Sequence, residues 1–199
     1  MKKHLLAVLL CSAVSTGALA QAQAFQGFSV GVNGSFVGNT SEFSGGGIVG
    51  TNVGDSNFIP SGEIGYTHAI TDKFTLGISG TYDFMESNAG KLENIQFKGK
   101  NHYSINLKPG FAVSKEALVY ALIGYNSVEG TTNSNAFLSG STTYTGIGYG
   151  IGTQVMFTPN IFGKVEIQQV QYDSKNIGGT TTSAKPVSNI GTIGIGYKF

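Results

Sequence analysis

His102-Tyr103-Ser104 places a potential general base two residues ahead of a potential nucleophile. Nucleophilic catalysis also needs a third group that orients the base within hydrogen-bond reach. The next acid after the pair is Glu116, twelve residues beyond Ser104 and about a strand length away. His68 stands near a turn at Thr71, at a position that suits an interfacial histidine. His68 and His102 are far apart in sequence, and no carboxylate has ligand spacing to either, so the pattern gives no metal site. Gly45-Gly46-Gly47 is not followed by Lys-Ser or Lys-Thr, nor by a helical pattern, as a phosphate loop requires. No catalytic residue, cofactor site or metal site is assigned, and the chain is not expected to be an enzyme.

The first 20 residues read as a leader. Met-Lys-Lys precedes an apolar stretch from Leu5 to Val14 and small residues ending Ala18-Leu19-Ala20, the pattern of a secretory signal peptide. Cleavage is expected after Ala20, with Ala22-Gln23-Ala24 as a second site. Cys11, the chain's only cysteine, lies inside this leader, and Leu10 before it is larger than a lipoprotein box resembling the known pattern would hold. The mature chain, 21–199, is therefore one domain without disulfides. Removing Lys2 and Lys3 from the 12 basic residues, none of them arginine, leaves ten lysines against 11 acids. That balance gives no basic face for nucleic acid.

The mature sequence alternates with a period of two, the signature of β-strands with one apolar face. Eight segments are expected, at about 25–37, 59–70, 74–85, 95–113, 118–127, 142–157, 162–172 and 188–199. Phe74, Leu76, Ile78, Tyr82 and Phe84 share one face of the third; Thr75, Gly77, Ser79, Thr81 and Asp83 share the other. Short connections at 71–73, 114–117 and 158–160 alternate with long ones at about 38–58, 86–94, 128–141 and 173–187. This is an up-and-down antiparallel order.

The apolar faces are expected to point outward. In Thr143–Phe157, one face carries Ile147, Tyr149, Ile151, Val155 and Phe157, while the other carries Gly146, Gly148, Gly150 and Gly152. Small residues suit the crowded interior of a narrow barrel. Aromatics near both strand ends resemble the two interfacial girdles of outer-membrane barrels. Glu63, Asp83, Lys98, Lys100, Lys108, Lys164, Glu166 and Lys198 then have inward parity. They are read as an internal ion-pair network or as the lining of a conducting path, because an isolated charge there would be costly.

The eight segments, the stretch Leu118-Val119-Tyr120-Ala121-Leu122-Ile123-Gly124-Tyr125 and the ending Gly-Ile-Gly-Tyr-Lys-Phe resemble the small outer-membrane β-barrel family of Gram-negative bacteria, opacity-protein-like and outer-membrane-protein-X-like. The resemblance implies an all-β, eight-stranded antiparallel transmembrane β-barrel in the outer membrane, with termini and short turns in the periplasm and long loops outside. It implies outer-membrane lipid, lipopolysaccharide and the barrel-assembly machinery as partners, the last reading Tyr197 and Phe199. The expected state is a monomer, and the expected role is structural or surface-interaction, adhesin- or opacity-like, with host or cell-surface ligands met by the loops. A narrow porin-like diffusion channel is the alternative, and a lipid A-modifying enzyme a weaker one. Deleting Phe199 is expected to lower the outer-membrane fraction of the expressed chain, read by fractionation and heat-dependent gel shift; normal insertion would remove that role.

Overall fold

The computed structural model describes residues 21–45, 48–92, 95–133, 140–176 and 183–199, and side chains outside 41–54, 89–97, 132–140 and 176–184. The expected leader and the side chains of Phe43, Ile48, Val49, Phe97 and Ala136–Leu138 lie outside the described residues. A 3-10 turn, Ala22–Phe25, precedes ten strands: β1 (Gly27–Gly45), β2 (Ile48–Ala69), β3 (Phe74–Asp83), β4 (Ser87–Leu92), β5 (Ile95–Ala112), β6 (Ala117–Asn133), β7 (Gly140–Met156), β8 (Ile161–Tyr172), β9 (Lys175–Asn176) and β10 (Ser183–Lys198). Neighbours pair antiparallel in the order β1-β2-β3-β5-β6-β7-β8-β10, and β10 pairs back onto β1. β4 and β9 extend the β3 and β8 staves, each pairing with the strand that follows. The result is a closed eight-staved barrel. In the section between the belts closure joins every strand to two neighbours, the condition for a sheet surrounded by hydrocarbon.

Side-chain parity sets the two faces. Val32, Ile64, Ile78, Ile105, Ile123, Ile151, Ile167 and Ile193 are exposed on the outside. Asn33, Ser61, Ser79, Ser104, Asn106, Asn126 and Lys164 are buried within. The apolar run of β6 also sorts by parity: Val119, Ile123 and Tyr125 face out, while Leu118, Tyr120 and Leu122 are buried.

Two aromatic belts ring the outer wall. At the turn end, Phe28 stacks beside Tyr66 at 4.7 Å, Phe74 beside Phe111 at 5.2 Å and Tyr197 beside Phe199 at 5.1 Å. At the opposite end, Phe36 meets Phe58 at 5.2 Å, and Tyr82 meets Phe84 and Tyr103 meets Tyr125, each at 6.5 Å. Phe28 and Phe36 are eight residues apart on β1. That is roughly 26 Å of strand, or roughly 20 Å of height at a tilt near 40°.

Three expectations need correction. The first segment does not begin as strand: Phe25 ends the 3-10 turn, and β1 starts at Gly27. The long connections are largely strand. β1 and β2 stay paired out to Gly45↔Ile48, and β6 and β7 out to Thr132↔Gly140. Ser, Thr and Gly there satisfy their backbones by pairing, so the barrel wall continues past the upper belt.

The third correction is one of parity. In β5 the register with β6 shifts between Lys100 and Tyr103, and Asn101 takes a φ of 50°. One extra residue in one strand reverses every side chain beyond it. Gly99 is consequently the inward residue, with a Cβ direction towards Val128 Cγ2 and Ser87 Oγ. Lys98 and Lys100, expected inside, lie on the outer wall above the belt.

Replacing Ile151, 58% exposed between the belts, with Lys is expected to cost about 2–4 kcal/mol in urea unfolding from lipid vesicles, against near-neutral Ile151→Leu. Equal stability of the two variants would contradict the outward parity.

Candidate functional site: a charge-paired lumen

Four charged side chains from β2, β5 and β8 meet inside the barrel. Lys108 Nζ lies 3.2 Å from Glu63 Oε2 and 2.9 Å from Glu166 Oε1. Lys164 Nζ lies 2.6 Å from Glu63 Oε2 and 3.4 Å from Glu166 Oε1. Each ammonium thus touches both carboxylates, and the ring carries no net charge. Lys164 is 3% exposed and its partners 12–13%. Tyr120 donates its hydroxyl to Glu166 Oε1 at 2.7 Å, Thr81 donates to Glu63 Oε2 at 3.3 Å, and Lys108 Nζ sits 5.6 Å from the Tyr120 ring centre. Buried charge is tolerable only with this degree of pairing and hydrogen bonding.

The glycine faces explain why these side chains fit. Each charged residue has a glycine as a direct cross-strand partner: Gly31 for Glu63, Gly77 for Lys108, Gly152 for Glu166 and Gly194 for Lys164. A Cβ on Gly152 would come within 2.6–2.8 Å of the Tyr120 ring, and one on Gly194 within 3.0 Å of Lys164 Cε. The small residues supply the room that the ion-pair ring occupies.

Below the ring the lumen is apolar. Phe25, 2% exposed, enters from the 3-10 turn and joins a cluster with Ala22, Ala112, Leu118, Met156 and Phe162. The turn is tied down by Ala22 N–H donating to Asp72 O at 2.9 Å and Ala69 N–H donating to Gln26 Oε1 at 3.2 Å. Between ring and cluster lies a cavity of about 30 Å³, bordered by Glu63, Lys108, Lys164, Thr75 and Ser79. That is room for about one or two water molecules.

Above the ring polar side chains share the lumen with buried Val37, Ile59, Leu122 and Val170. Gln168 Nε2 donates to Asn106 Oδ1 at 3.3 Å, and Asn106 Nδ2 donates to Ser104 Oγ at 2.9 Å. His102 Nδ1 lies 2.8 Å from Asp83 Oδ2, and Ser188 donates to Asn39 Oδ1 at 2.7 Å. Asn33 Oδ1, His102 Nε2 and Asn126 Oδ1, and Ser79 Oγ beside the cavity, are buried without a protein partner. Buried polar atoms of this kind are normally satisfied by water.

The eight residues expected as lumen charges therefore separate into groups. Glu63, Lys108, Lys164 and Glu166 form the ring, and Asp83 pairs with His102 above it. Lys198 sits at the turn end, donating to Gln26 O at 3.3 Å. Lys98 and Lys100 are outside, 3.4 and 2.9 Å from Glu86. Glu86 lies on the connection above the belt, and its hydrogen bond from Lys100 holds its carboxyl below the usual range. Glu116 caps its own turn by accepting from Ser114 at 2.9 Å, far from the His102–Ser104 pair. His68 is exposed on the outer wall near the turn end. Tyr197 and Phe199 are outward, and Phe199 N–H donates to Phe28 O at 2.9 Å. Sequence reasoning did not single out Tyr120 or Phe25. Tyr120 lies in a stretch that is apolar on both faces, so alternation only favoured it as inward, and nothing local marked Phe25 as an insert.

A closed barrel with a hydrocarbon-facing band between aromatic belts and a polar interior defines a transmembrane β-barrel. The sequence matches the outer membrane protein beta-barrel domain over residues 6–199, and the chain belongs to that family. No curated protein sequence matches it. Among solved structures it is similar to Ail, the attachment invasion locus protein of Yersinia pestis, in complex with the heparin analogue sucrose octasulfate, at 17% identity and a TM-score of 0.52, covering 87% of this chain and 99% of that one. It is similar to Neisserial surface protein A at 16% identity and a TM-score of 0.52, covering 86% of this chain and 97% of that one. In barrels of this class the short turns face the periplasm, so the ring lies between a periplasmic apolar plug and a polar extracellular vestibule.

The expectation that the chain is not an enzyme does not stand. The structures it matches include the outer membrane protease OmpT of Escherichia coli, at 8% identity and a TM-score of 0.49, covering 87% of this chain and 97% of that one.

Lys164→Met leaves two carboxylates sharing one ammonium. It is expected to destabilise the folded barrel by about 3–5 kcal/mol. Adding Glu63→Gln restores neutrality, and the double variant should recover much of that loss in the same vesicle unfolding assay.

Proposed function

We propose that this outer-membrane barrel is a closed scaffold whose raised β-hairpins meet ligands at the cell surface. The observation that carries the reading is the lumen, where a neutral ion-pair ring is stacked on an apolar plug. The wall, in contrast, extends beyond the extracellular belt, with β1 running nine residues past Phe36 to Gly45. Backbone pairing of that extension gives a rigid platform, which lowers the ordering cost of binding.

Ail was solved with a heparin analogue, which suggests sulfated glycans as a ligand class to compare. The charges on this chain argue for a different preference. The described segments above the extracellular belt carry Lys91, Lys98, Lys100, Lys175 and Lys185 against Glu42, Asp55, Glu86, Glu129 and Asp173. A near-neutral surface of Ser, Thr, Asn and Gly suits hydrogen-bonded recognition of a neutral ligand better than capture of a polyanion.

A second reading is favoured by the unpartnered polar atoms that line the lumen. They imply bound water, and a rearranged ring would then pass ions as a narrow channel.

Cells expressing the full chain should adhere to host-cell monolayers more than cells expressing a variant shortened across 43–51. Adhesion should fall little with added heparin. Equal adhesion of both strains, with equal surface levels, would contradict the proposed role.

A further inference from the structure

The outer wall is not uniformly convex. A groove of about 660 Å³ runs up the hydrocarbon-facing surface across β3, β5, β6 and β7. Its cause is local. The β5–β6 register passes from Leu107↔Ile123 to Gly110↔Tyr120 without pairs at Lys108 and Pro109. Proline has no N–H to give the ladder. On the outward face the notch is bordered by Pro109 and Ala121, small or flat beside Leu76 and Ile151.

The groove starts at the periplasmic belt, beside the edge-to-face pair Phe74 and Phe111, and climbs towards mid-membrane at Ile151. Lys73 is exposed on the turn directly below, between groove residues Thr71 and Phe74. We propose that this groove is a binding site for one glycerophospholipid of the periplasmic leaflet. One acyl chain lies against Leu76, Ala121 and Ile151, and the anionic phosphate sits near Lys73. The groove opens onto the membrane face itself, so its occupant is drawn from lipid. Its apolar lining and the cation at its foot match the two ends of a phospholipid. Asp72 beside Lys73 lowers the local positive charge, which makes the acyl chain the main determinant.

The test is native mass spectrometry of the intact mature barrel, extracted in mild detergent and then incubated with phosphatidylglycerol. Folding of each variant is checked by the heat-dependent gel shift. Wild type should retain one lipid mass per chain. Ala121→Phe fills the notch and should lower the retained fraction by about tenfold, equivalent to about 1.4 kcal/mol. Val32→Phe, on the outer wall away from the groove, should leave retention unchanged. Lys73→Glu should lower retention of phosphatidylglycerol more than that of phosphatidylethanolamine. Equal retention by wild type and Ala121→Phe would overturn the site. So would a wild-type mass of two chains that Ala121→Phe converts to one, which would assign the groove to a second copy of the barrel.

Discussion

Two lysines and two glutamates cannot be taken out of water inside a barrel unless each finds its opposite. That requirement organises the lumen. The pairing Glu63–Lys108–Glu166–Lys164 is neutral and closed, with every charged group touching two of opposite sign. Tyr120 and Thr81 satisfy further carboxylate lone pairs. The ring fits because the positions across from it are glycine. A barrel of eight strands has an interior just wide enough for side chains, and here glycines on four strands give up their share of that space to charges on three.

The membrane imposes the complementary condition on the outside. Closure through β1 and β10 removes the edge, and the belts mark where the hydrocarbon band ends. Above the extracellular belt the wall no longer faces lipid. There the β5 bulge turns Lys98 and Lys100 to the outside, where they pair with Glu86 rather than enter the lumen. The same strand thus carries a buried cation in its membrane section, Lys108, and two solvated ones above it.

Much of this was legible from alternation alone. β3 alternates cleanly, and Val165 and Ile167 of β8 and Ile193, Ile195 and Tyr197 of β10 stand on the outer wall as their parity requires, while Phe162, Val170 and Tyr172 of β8 are buried inside. The stretch Leu118–Ile123 of β6 is apolar on both faces, so alternation favoured Val119, Ala121, Ile123 and Tyr125 outside without settling it, and the ladder decides. The bulge was not legible: neither glycine nor proline marks it, and Asn101 adopts its positive φ only in the context of the pairing. The raised hairpins were hidden for another reason. Ser, Thr, Asn and Gly read as loop in isolation, and only the ladder with the neighbouring strand makes them sheet. Phe25 reads as the first apolar residue of a strand; its burial follows from a 3-10 turn held by the distant Asp72 and Ala69.

The central claim is that the ring and the Phe25 cluster together close the lumen. Planar-bilayer conductance of the refolded barrel, residues 21–199, with folding confirmed by gel shift, tests it most directly. A silent membrane at neutral pH is the result this account predicts. Discrete, reproducible current steps from the wild-type chain would contradict it, because they require connected water through a passage that the ring and the plug occupy.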